Sequence, residues 1–506
     1  MDRLERDLFL NLSTAEKALK ALLAEDRVKR SPALLSRALA GTGGAPEARC
    51  PIQSNEGPMN SRIFREYDIR GNADSELPDG FVRALGIAIA KTAGTDAPVV
   101  VGRDCRLHSP RLHAALIDGL RLLVDVIDIG VVPTPAAYFA QQLLRPSATI
   151  MITGSHNPAE DNGFKIMIGD NTLHGREIKA LETRLSEAFV SSHIHDLTSL
   201  SVHADYIAKA VDALRLGTRR PKVVVDAGNG AGGPLAVDLY TKLGFDVVPL
   251  YCEFDGRFPH HHPDPTQPEN LADLIATVQA TGAELGIALD GDADRMGAVD
   301  ARGRILWGDQ LMILLGRGVL AEVPEARFLG EVKCSQSMYD TLPRCEMWKV
   351  GHSHIKERLR ETGAHLAGEM SGHLFFAHRW LGFDDGIYAG ARLLELLSLT
   401  DKSLADLTAE LPTMINTPEL RLDCPDEEKF EVVARVIAGL RDDPAVQSVI
   451  TIDGVRARFV DGWGLVRASN TQPVLVMRCE AQSAQALDTI KRTIEAHVAA
   501  ARESIG

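Results

Sequence analysis

Short apolar runs alternate with stretches of helical periodicity along most of the chain after Met59. The pattern predicts strands at 98–101, 148–152, 223–225 and 285–289, and helices at 110–123, 235–243 and 309–320. Strands that alternate with helices favour βαβ units and mixed, mostly parallel sheets. Because such sheets bind ligands at the carboxyl ends of their strands, the polar loops after these strands are the candidate functional sites.

The C-terminal part of the chain follows a different pattern. Predicted strands at 448–452, 456–459 and 474–479 precede a closing helix at 484–500, which indicates a smaller α+β domain. We therefore predict an α/β protein that ends in this α+β domain. The predicted boundaries are 59–203, 204–304, 305–414 and 415–506.

Residues 1–58 differ from the rest of the chain. Ser13-Thr14-Ala15-Glu16 is a capping-box pattern before a leucine-rich helical face, and 41–58 is rich in Gly, Pro and small polar residues. Two interpretations stay open: an appended helical hairpin on a tether, or a partly disordered tail. A third is that translation begins at Met59, which would leave this segment out of the cellular protein.

The composition narrows the class of protein. The chain has 506 residues, 45% apolar and 25% charged, as in an ordinary globular protein of about three or four domains. Its 55 Lys and Arg against 69 Asp and Glu give a net charge of −14, which argues against nucleic acid and requires cationic pockets for any anion. Seven scattered cysteines, without a signal-peptide pattern or a long apolar run, predict a soluble cytoplasmic protein with no membrane partner.

The first candidate loop, 153–158, follows an apolar strand pattern. Asn157, Pro158 and Glu160 have the spacing of a helix N-cap, N1 and N3. Ser155 is then expected just before a helix N-terminus, where exposed N–H groups favour an anion. A serine there is a candidate carrier of a phosphoryl group, and the alternative is a plain capping turn.

The stretch Asp161-Asn162-Gly163 is a turn signal. We expect this turn to bring Lys165 back toward Ser155, as a cation or proton carrier beside the hydroxyl group. The alternative is a lysine on a solvated strand face.

The second loop places three carboxylates at alternate positions, Asp290, Asp292 and Asp294. Oxygen ligands select Mg²⁺ or Ca²⁺. An EF-hand is excluded, since Arg295 stands where its glycine is needed and Ala301 where its bidentate glutamate should be. Mg²⁺ prefers a few carboxylates plus a phosphate oxygen, so this loop is expected to work with a phosphate, which Arg295 is placed to hold.

Two further loops have weaker patterns on their own. In 368–373, glycines flank a carboxylate, a hydroxyl and an imidazole, which suits recognition of a polyol. In 467–473, one guanidinium is followed by hydroxyl and amide donors, which suits binding of a phosphate. For each loop alone, an ordinary polar turn is the alternative.

The four loops, in this order, resemble the α-D-phosphohexomutase family, and most closely its bacterial phosphomannomutase/phosphoglucomutase branch. Supporting stretches are Phe-Arg-Glu-Tyr-Asp-Ile-Arg-Gly at 64–71, Gly-His-Ser at 351–353 and Trp-Leu-Gly-Phe-Asp-Asp-Gly at 380–386. The resemblance covers the chain from about Met59 onward. It departs at Cys105, where glycine is expected, and at His108, where a small residue is usual.

The resemblance implies a heart-shaped protein whose four domains, three related α/β domains and a C-terminal α+β domain, surround a central cleft. It implies that Ser155 is the phosphoserine and that Mg²⁺ is bound by Ser155, Asp290, Asp292 and Asp294. The catalytic residues it implies are Ser155, His156, Lys165, Arg70, Arg295 and His373. The substrate-binding residues it implies are Tyr67, Lys333, His352, Glu369, Ser371, Arg467, Ser469, Asn470 and Thr471.

The implied reaction interconverts hexose 6-phosphate and hexose 1-phosphate of mannose and/or glucose. Phosphorylated Ser155 gives its phosphoryl group to a free sugar hydroxyl, and the resulting hexose 1,6-bisphosphate turns end over end before its other phosphate returns to Ser155. Catalysis is then mostly positioning and charge neutralisation. Lys165 and His373 are both candidates for moving the hydroxyl proton.

Three alternatives stay open. Within the family, a phosphoglucosamine mutase is the nearest competitor. A phosphatase with Asp290 as nucleophile explains Asp-x-Asp after a strand, but leaves the Ser155 loop without a role. A non-catalytic sugar-phosphate sensor would use the helical extension to contact another chain.

Overall fold

The computed structural model describes residues 61–186, 189, 191–470 and 472–505. The predicted helical extension at 1–58 and the predicted phosphate ligand Thr471 lie outside these residues. Among the residues described, no helix has the length and apolar character needed to span a bilayer.

The first sheet has parallel strands at its centre and an antiparallel edge. Its order is β1-β5-β4-β2-β3-β7, with β6 on β5. The strands are β1 (Ile69–Asn72), β2 (Val99–Arg103), β3 (Val126–Val131), β4 (Ala148–Ile152), β5 (Asp161–Ile168), β6 (Asn171–Thr172) and β7 (Leu197–Ser199). The helices are α1 (Asp79–Ala93), α2 (Ser109–Leu120), α3 (Thr134–Leu144) and α4 (Arg176–Arg184), after a 3-10 turn at Ser61–Ile63.

The second sheet repeats this plan with the order β12-β11-β10-β8-β9. The strands are β8 (Lys222–Asp226), β9 (Asp246–Leu250), β10 (Leu285–Leu289), β11 (Met296–Asp300) and β12 (Ile305–Leu306). The helices are α5 (His203–Ala213), α6 (Gly233–Lys242) and α7 (Ala272–Thr281), the last preceded by a 3-10 turn at Pro268–Leu271. Strands β8, β9 and β10 are parallel, and β11 returns antiparallel to β10.

The third sheet has the order β14-β13-β15-β16, again with an antiparallel strand at one edge. The strands are β13 (Phe328–Glu331), β14 (Cys345–Trp348), β15 (Leu366–Gly368) and β16 (Leu374–Phe376). The helices are α8 (Gly308–Glu322), α9 (Gln336–Thr341), α10 (His352–Thr362), α11 (Gly386–Ser398) and α12 (Leu404–Ala409).

The fourth sheet is antiparallel throughout, with the order β17-β22-β21-β20-β19 and β18 paired to β22. The strands are β17 (Ile415–Asn416), β18 (Leu420–Asp423), β19 (Ser448–Ile450), β20 (Val455–Phe459), β21 (Gly462–Ala468) and β22 (Val474–Ala481). Two helices, α13 (Lys429–Asp442) and α14 (Ala484–Glu503), complete it. The predicted fold class, three mixed α/β units and an α+β unit, is confirmed.

One apolar core extends through the first three sheets. In β2, Val99 and Val101 belong to the core under α1 and α2, whereas Val100 faces the shared core. The indole of Trp380 stacks on Tyr388 of α11 at 4.2 Å between ring centroids and meets Tyr206 of α5 edge-on at 5.5 Å. The strand ends that carry polar loops are therefore held in fixed relative positions.

Two predictions for the Ser155 region are wrong. No helix begins at Pro158, because residues 153–160 form a turn and β5 starts at Asp161. The stretch 161–163 is therefore strand rather than turn, and β5 runs back along β4 with Lys165 opposite Met151. The loop carbonyl groups accept hydrogen bonds from a side chain rather than from the N–H groups of a helix, as described below.

The predicted loop at 467–473 begins too early. Arg467 lies near the end of β21, a strand that the sequence analysis did not predict. Its Gly-Trp-Gly start interrupts the apolar alternation that indicates a strand, and pairing with β20 and β22 outweighs that weak local propensity.

Candidate active site

All four sheets contribute to one large cavity of about 1240 Å³. Of the predicted site residues, the lining includes Tyr67, Arg70, Ser155, His156, Lys165, Asp294, Arg295, Lys333, His352, Glu369, Ser371, His373, Arg467, Ser469 and Asn470. Asp290 and Asp292 lie fully buried beneath the lining. The structure thus brings together side chains that are as much as 403 positions apart in sequence.

Ser155 lies in a strained turn at the carboxyl end of β4. Its φ of 49° is left-handed, which a non-glycine residue rarely adopts. The Ser155 N–H donates to Oγ1 of Thr153 at 2.8 Å, and the Ser155 hydroxyl donates to Oδ2 of Asp290 at 2.9 Å. The turn therefore directs the hydroxyl at the carboxylate loop of the second sheet.

A guanidinium group that sequence analysis missed supports this turn. Arg106, fully buried, donates to the carbonyl oxygens of Ser155 and Asn157 at 2.7 Å each and of Asp161 at 3.0 Å, and also contacts that of Pro158. These contacts satisfy the buried backbone acceptors of the turn. Position alone does not distinguish Arg106 from its neighbour Arg103, so no sequence signal pointed to this role.

The carboxylate loop crowds three buried acids into a small volume. Asp290, Asp292 and Asp294 can each direct one oxygen to within 4.8 Å of the others. Oδ1 of Asp292 is buried and, within the described residues, has no hydrogen-bond partner. A divalent cation that prefers oxygen ligands would coordinate this Asp292 oxygen and reduce the repulsion among the three carboxylates. The loop therefore fits an ion such as Mg²⁺.

The loop also has a close backbone contact with Ser155. A Cβ atom at Gly291 would lie 2.4 Å from the Ser155 carbonyl oxygen, so only glycine fits there. Asp292 is fixed from the other side by the Thr134 hydroxyl, which donates to its Oδ2 at 2.5 Å. The serine and the acids are therefore positioned against each other by packing.

Lys165 contacts the acids. Its Nζ lies 2.7 Å from Oδ2 of Asp292 and also pairs with Asp294. Burial alone would lower the pKa of Lys165, but the carboxylates of Asp292 and Asp294 outweigh it and raise that pKa. Lys165 is a cation here and partly balances the carboxylate charge.

His373 links the third sheet to the acids. Its Nδ1 lies 2.7 Å from Oε2 of Glu369 and 3.1 Å from the Ser371 hydroxyl, and its Nε2 lies 3.3 Å from Oδ1 of Asp294. Burial opposes the imidazolium, yet Asp294 and Glu369 outweigh it and raise the pKa of His373 to about 9. Its Nε2 also lies 3.1 Å from Nε of Arg295, which is 4.0 Å from Oδ2 of Asp290.

Glu369 remains ionised within the protein. Burial opposes this, but the His373 imidazole and the Gly351 N–H, which donates to Oε1 at 2.6 Å, lower the pKa of Glu369 to about 2. A buried carboxylate and the Ser371 hydroxyl beside it supply acceptors and a donor for paired hydroxyl groups.

His352 contacts a second acid that the sequence analysis quoted but gave no role. Nδ1 of His352 lies 3.3 Å from Oδ2 of Asp384, and Lys356 donates to Oδ1 of Asp384 at 2.9 Å. Burial opposes ionisation of Asp384, but Lys356 and His352 outweigh it and lower its pKa. The His352 ring stacks on His373 at 5.8 Å between centroids, so Asp384 positions the His352 ring directly and the His373 ring through it.

Arg70 and His156 flank Ser155. Arg70 donates to Oδ1 of Asn157 at 2.6 Å and to Oδ2 of Asp68 at 2.5 Å. Nδ1 of His156 lies 3.2 Å from the Ser155 hydroxyl oxygen. Burial, together with the cations Arg295 and Arg70, lowers the pKa of His156, so its ring is neutral.

The far end of the cavity is cationic. Arg467 donates through Nε to Oδ2 of Asp453 at 3.1 Å, and Lys333 donates to Oε2 of Glu419 at 3.3 Å. Asp453 and Glu419 are partners that the sequence analysis missed, because isolated acids in loops have no distinctive pattern. Both cations line the cavity together with Ser469 and Asn470.

Tyr67 joins the first sheet to this far end. Its hydroxyl donates to the carbonyl oxygen of Val350 at 2.8 Å and accepts from Nδ2 of Asn470 at 2.7 Å. Burial raises the pKa of Tyr67 above its ordinary range, so the hydroxyl remains neutral. Tyr67 therefore connects three separate loops of the cavity wall.

Comparison with known proteins gives the same grouping of sheets. Family models of phosphoglucomutase/phosphomannomutase match 61–189 (alpha/beta/alpha domain I), 201–303 (domain II), 307–415 (domain III) and 419–497 (C-terminal domain). A phosphomannomutase/phosphoglucomutase of Pseudomonas putida is 46% identical over 440 residues, covering 85% of this chain and 94% of that protein.

Two further similarities span a comparable length. A phosphoglucomutase of Neisseria gonorrhoeae is 42% identical over 86% of this chain and 96% of its own. The crystal structure of a phosphoglucomutase/phosphomannomutase family protein from Burkholderia thailandensis superimposes with a TM-score of 0.81 at 42% identity, covering 88% of this chain and 98% of that one.

Proposed function

We propose that this chain, which belongs to the phosphoglucomutase/phosphomannomutase family and is a hexose-phosphate mutase, uses Ser155 as its phosphoryl carrier. The proposed substrates are the 6-phosphates and 1-phosphates of mannose and/or glucose, with a hexose 1,6-bisphosphate as intermediate. The supporting observation is the Ser155 hydroxyl, buried at one end of a large cavity and 2.9 Å from a carboxylate of the Asp290 loop.

The metal in this proposal is Mg²⁺, held by Asp290, Asp292, Asp294 and an oxygen of phosphorylated Ser155. Once bound there, the ion would neutralise charge on the transferring phosphoryl group. Arg70 and Arg295 bind the outer oxygens of that group, and His156 positions the serine oxygen. The unsatisfied Oδ1 of Asp292 supports this assignment.

The sugar is held between the two ends. Glu369 and Ser371 bind its hydroxyl groups, and His352 supports His373. The far phosphate is bound by Lys333, Arg467, Ser469, Asn470, Tyr67 and Thr471. Lys165 and His373, which both contact Asp294, are the candidates for moving the proton of the attacking hydroxyl. Each is protonated in the arrangement described above, so it must release its own proton before it can accept this one.

This arrangement also suits the reversal of the intermediate. A hexose 1,6-bisphosphate presents a phosphate at each end, so one end of the cavity must transfer a phosphoryl group while the other holds either phosphate. Cationic side chains and neutral donors at the far end meet the second requirement without reacting.

We propose domain boundaries at 203/204, 304/305 and 414/415. The change of sheet supports the boundary at 414/415, whereas β12, at Ile305–Leu306, still pairs with β11 of the second sheet. A reducing compartment such as the cytoplasm is the proposed location. The six cysteines within the described residues are free, as is usual there.

A coupled assay with mannose, glucose and glucosamine 1-phosphates, with and without Mg²⁺ and bisphosphate priming, tests the proposal. Isomerisation of mannose or glucose phosphate supports it, whereas isomerisation of glucosamine phosphate alone favours the phosphoglucosamine mutase. A phosphoenzyme that hydroxylamine cleaves would instead favour Asp290 as nucleophile.

A further inference from the structure

A second cluster of metal-ligating side chains lies away from the carboxylate loop. His174, between β6 and α4, faces His354 and Glu357 on α10, so the cluster joins the first and third sheets. One donor atom from each of these three residues lies within 4.8 Å of the others. None of the three has a role in the proposed reaction.

The imidazole nitrogen atoms of the two histidines are directed toward carboxylate oxygens. Nδ1 of His174 lies 3.1 Å from the Thr172 carbonyl oxygen, which fixes the hydrogen on Nδ1 and leaves the Nε2 lone pair free. That Nε2 lies 3.8 Å from Oε2 of Glu357, and Nε2 of His354 lies 3.7 Å from Oε1 of Glu66.

These nitrogen–oxygen distances are too long for hydrogen bonds but close to the distances between neighbouring donor atoms around a bound metal ion. Donor atoms about 2.0–2.1 Å from a tetrahedral zinc ion lie about 3.3 Å from one another. The rings of His174 and His354 meet edge-on with centroids 5.0 Å apart, which leaves their nitrogen atoms free to converge.

The ligands are also held in place before any ion binds. His354 and Glu357 are three residues apart on α10 and therefore share one face. The Gly175 N–H donates to the Glu66 carbonyl oxygen at 2.7 Å, which ties Glu66 beside His174.

We propose that His174, His354 and Glu357 bind a transition-metal ion of the zinc class. Two imidazoles with a carboxylate suit Zn²⁺, whereas Mg²⁺ prefers oxygen alone. The His174 and His354 side chains are 18% and 17% exposed, so an ion can enter from solvent. The bound ion clamps the first sheet to α10.

This clamp would act next to the cavity wall. The Tyr67 ring, adjacent in sequence to Glu66, lies 5.6 Å from the His354 ring, and its hydroxyl accepts from Asn470. An ion bound to His354 would therefore restrict Tyr67, whose ring contacts that imidazole, without entering the cavity.

Calorimetric titration of the full chain with Zn²⁺ in excess Mg²⁺ tests the proposal, because Mg²⁺ occupies the carboxylate loop but does not compete for imidazole. We expect one Zn²⁺ per chain, and at least about tenfold weaker binding in both His174→Gln and His354→Gln. Co²⁺ in the same site should show the strong visible absorption of a four-coordinate ion with nitrogen ligands.

Matched variants separate ligand loss from misfolding. Glu357→Gln keeps the shape of a half-exposed side chain and should also weaken Zn²⁺ binding, whereas His113→Gln, which removes a histidine paired with Asp128, should not. Zn²⁺ should raise the melting temperature of the wild type but not of His174→Gln, with equal melting temperatures in EDTA. Zn²⁺ affinity unchanged in both histidine variants, or no bound Zn²⁺ in excess Mg²⁺, would overturn the proposal.

Discussion

The two ends of the cavity are built differently. The serine end (Ser155, Asp290, Asp292, Asp294, Lys165) lies on strand β5 and on loops of the first two sheets, and each of these residues is at most 3% exposed. The arginine end (Arg467, Lys333, Ser469, Asn470, Tyr67) depends on the antiparallel fourth sheet, and its cations pair with single acids at 3.1–3.3 Å.

The difference follows from the work proposed for each end. Phosphoryl transfer needs charges in fixed positions, and the serine end supplies them through interlocked buried carboxylates and cations. The arginine end has to accept either phosphate of a bisphosphate. Long side chains with neutral donors around them bind both without demanding one geometry.

The largest expected effect is at the serine end. Ser155→Ala should lower kcat by at least about 10⁴-fold, because the phosphoryl carrier is lost while substrate binding remains. The coupled assay and intact-mass measurement of the phosphoenzyme check this. The surface variant Ser75→Ala should retain full turnover, and activity of Ser155→Ala near that of the wild type would assign the serine end another role.

Removal of the metal should come next in size. EDTA should lower turnover by at least about 10²-fold, and added Mg²⁺ should restore it, because the phosphoryl charge is then neutralised again. Asp292→Asn should need much more Mg²⁺ to reach the same rate. Turnover that persists after EDTA treatment would contradict the assignment of the carboxylate loop.

Arg106→Lys tests whether the rigidity of the serine end matters. Lysine keeps the charge but cannot donate to four carbonyl groups, so we expect a loss of about 2–4 kcal/mol of stability and about 10²-fold of kcat. Urea unfolding and steady-state kinetics measure the two effects. Arg103→Lys is the control, because the Arg103 guanidinium makes one long contact, to the Asp104 carbonyl oxygen. This change should alter neither the stability nor kcat.

Arg467→Lys should have a smaller effect of a different kind. Loss of the planar guanidinium weakens phosphate binding, so KM should rise about tenfold with a smaller change in kcat. Arg458→Lys on the exposed side of β20 is the control. A fall in kcat as large as that of Arg106→Lys would remove the distinction between the two ends.

The smallest expected effect concerns pH. The pKa of His373 is raised to about 9 from an ordinary value near 6.5. At pH values between these two, the folded protein therefore keeps a proton on His373 that the unfolded chain has released. Its stabilising contribution is complete below about pH 6.5 and is lost as pH rises through about 9.

Urea unfolding of the wild type and His373→Gln in EDTA measures this contribution. The stability difference between them should shrink by at most about 3 kcal/mol between pH 6 and pH 9.5. A difference that stays constant over this range would show that His373 is not protonated in the folded protein.

Much of the fold was predictable from local pattern. Strands β4 and β10 have the predicted bounds, and the α14 prediction ends only three residues early, because apolar runs and helical periodicity are strong signals there. Strand β21 was missed because its two glycines break the alternation. The turn at Ser155 was misplaced because a local capping pattern was outweighed by Arg106, whose contacts are distant in sequence.

The residues of the candidate site also fall into those that the sequence could predict and those that it could not. The serine, the three aspartates and the polar residues of the last loop stand in short motifs, so the sequence identifies them without tertiary information. Arg106, Asp453 and Glu419 stand in no recognised motif, and Asp384 stands in one that assigned it no role. All four acquire their partners only in the folded chain.

The sequence by itself determined the family, the kinds of elements and the motifs of the cavity, because these depend on local pattern and spacing. Only the tertiary structure decided that Lys165 pairs with Asp292 and Asp294, and that His174 meets His354 across two sheets. The reason is physical: charge pairing and metal ligation act over a few ångströms in space, and distance in space is set by packing between sheets rather than by position along the chain.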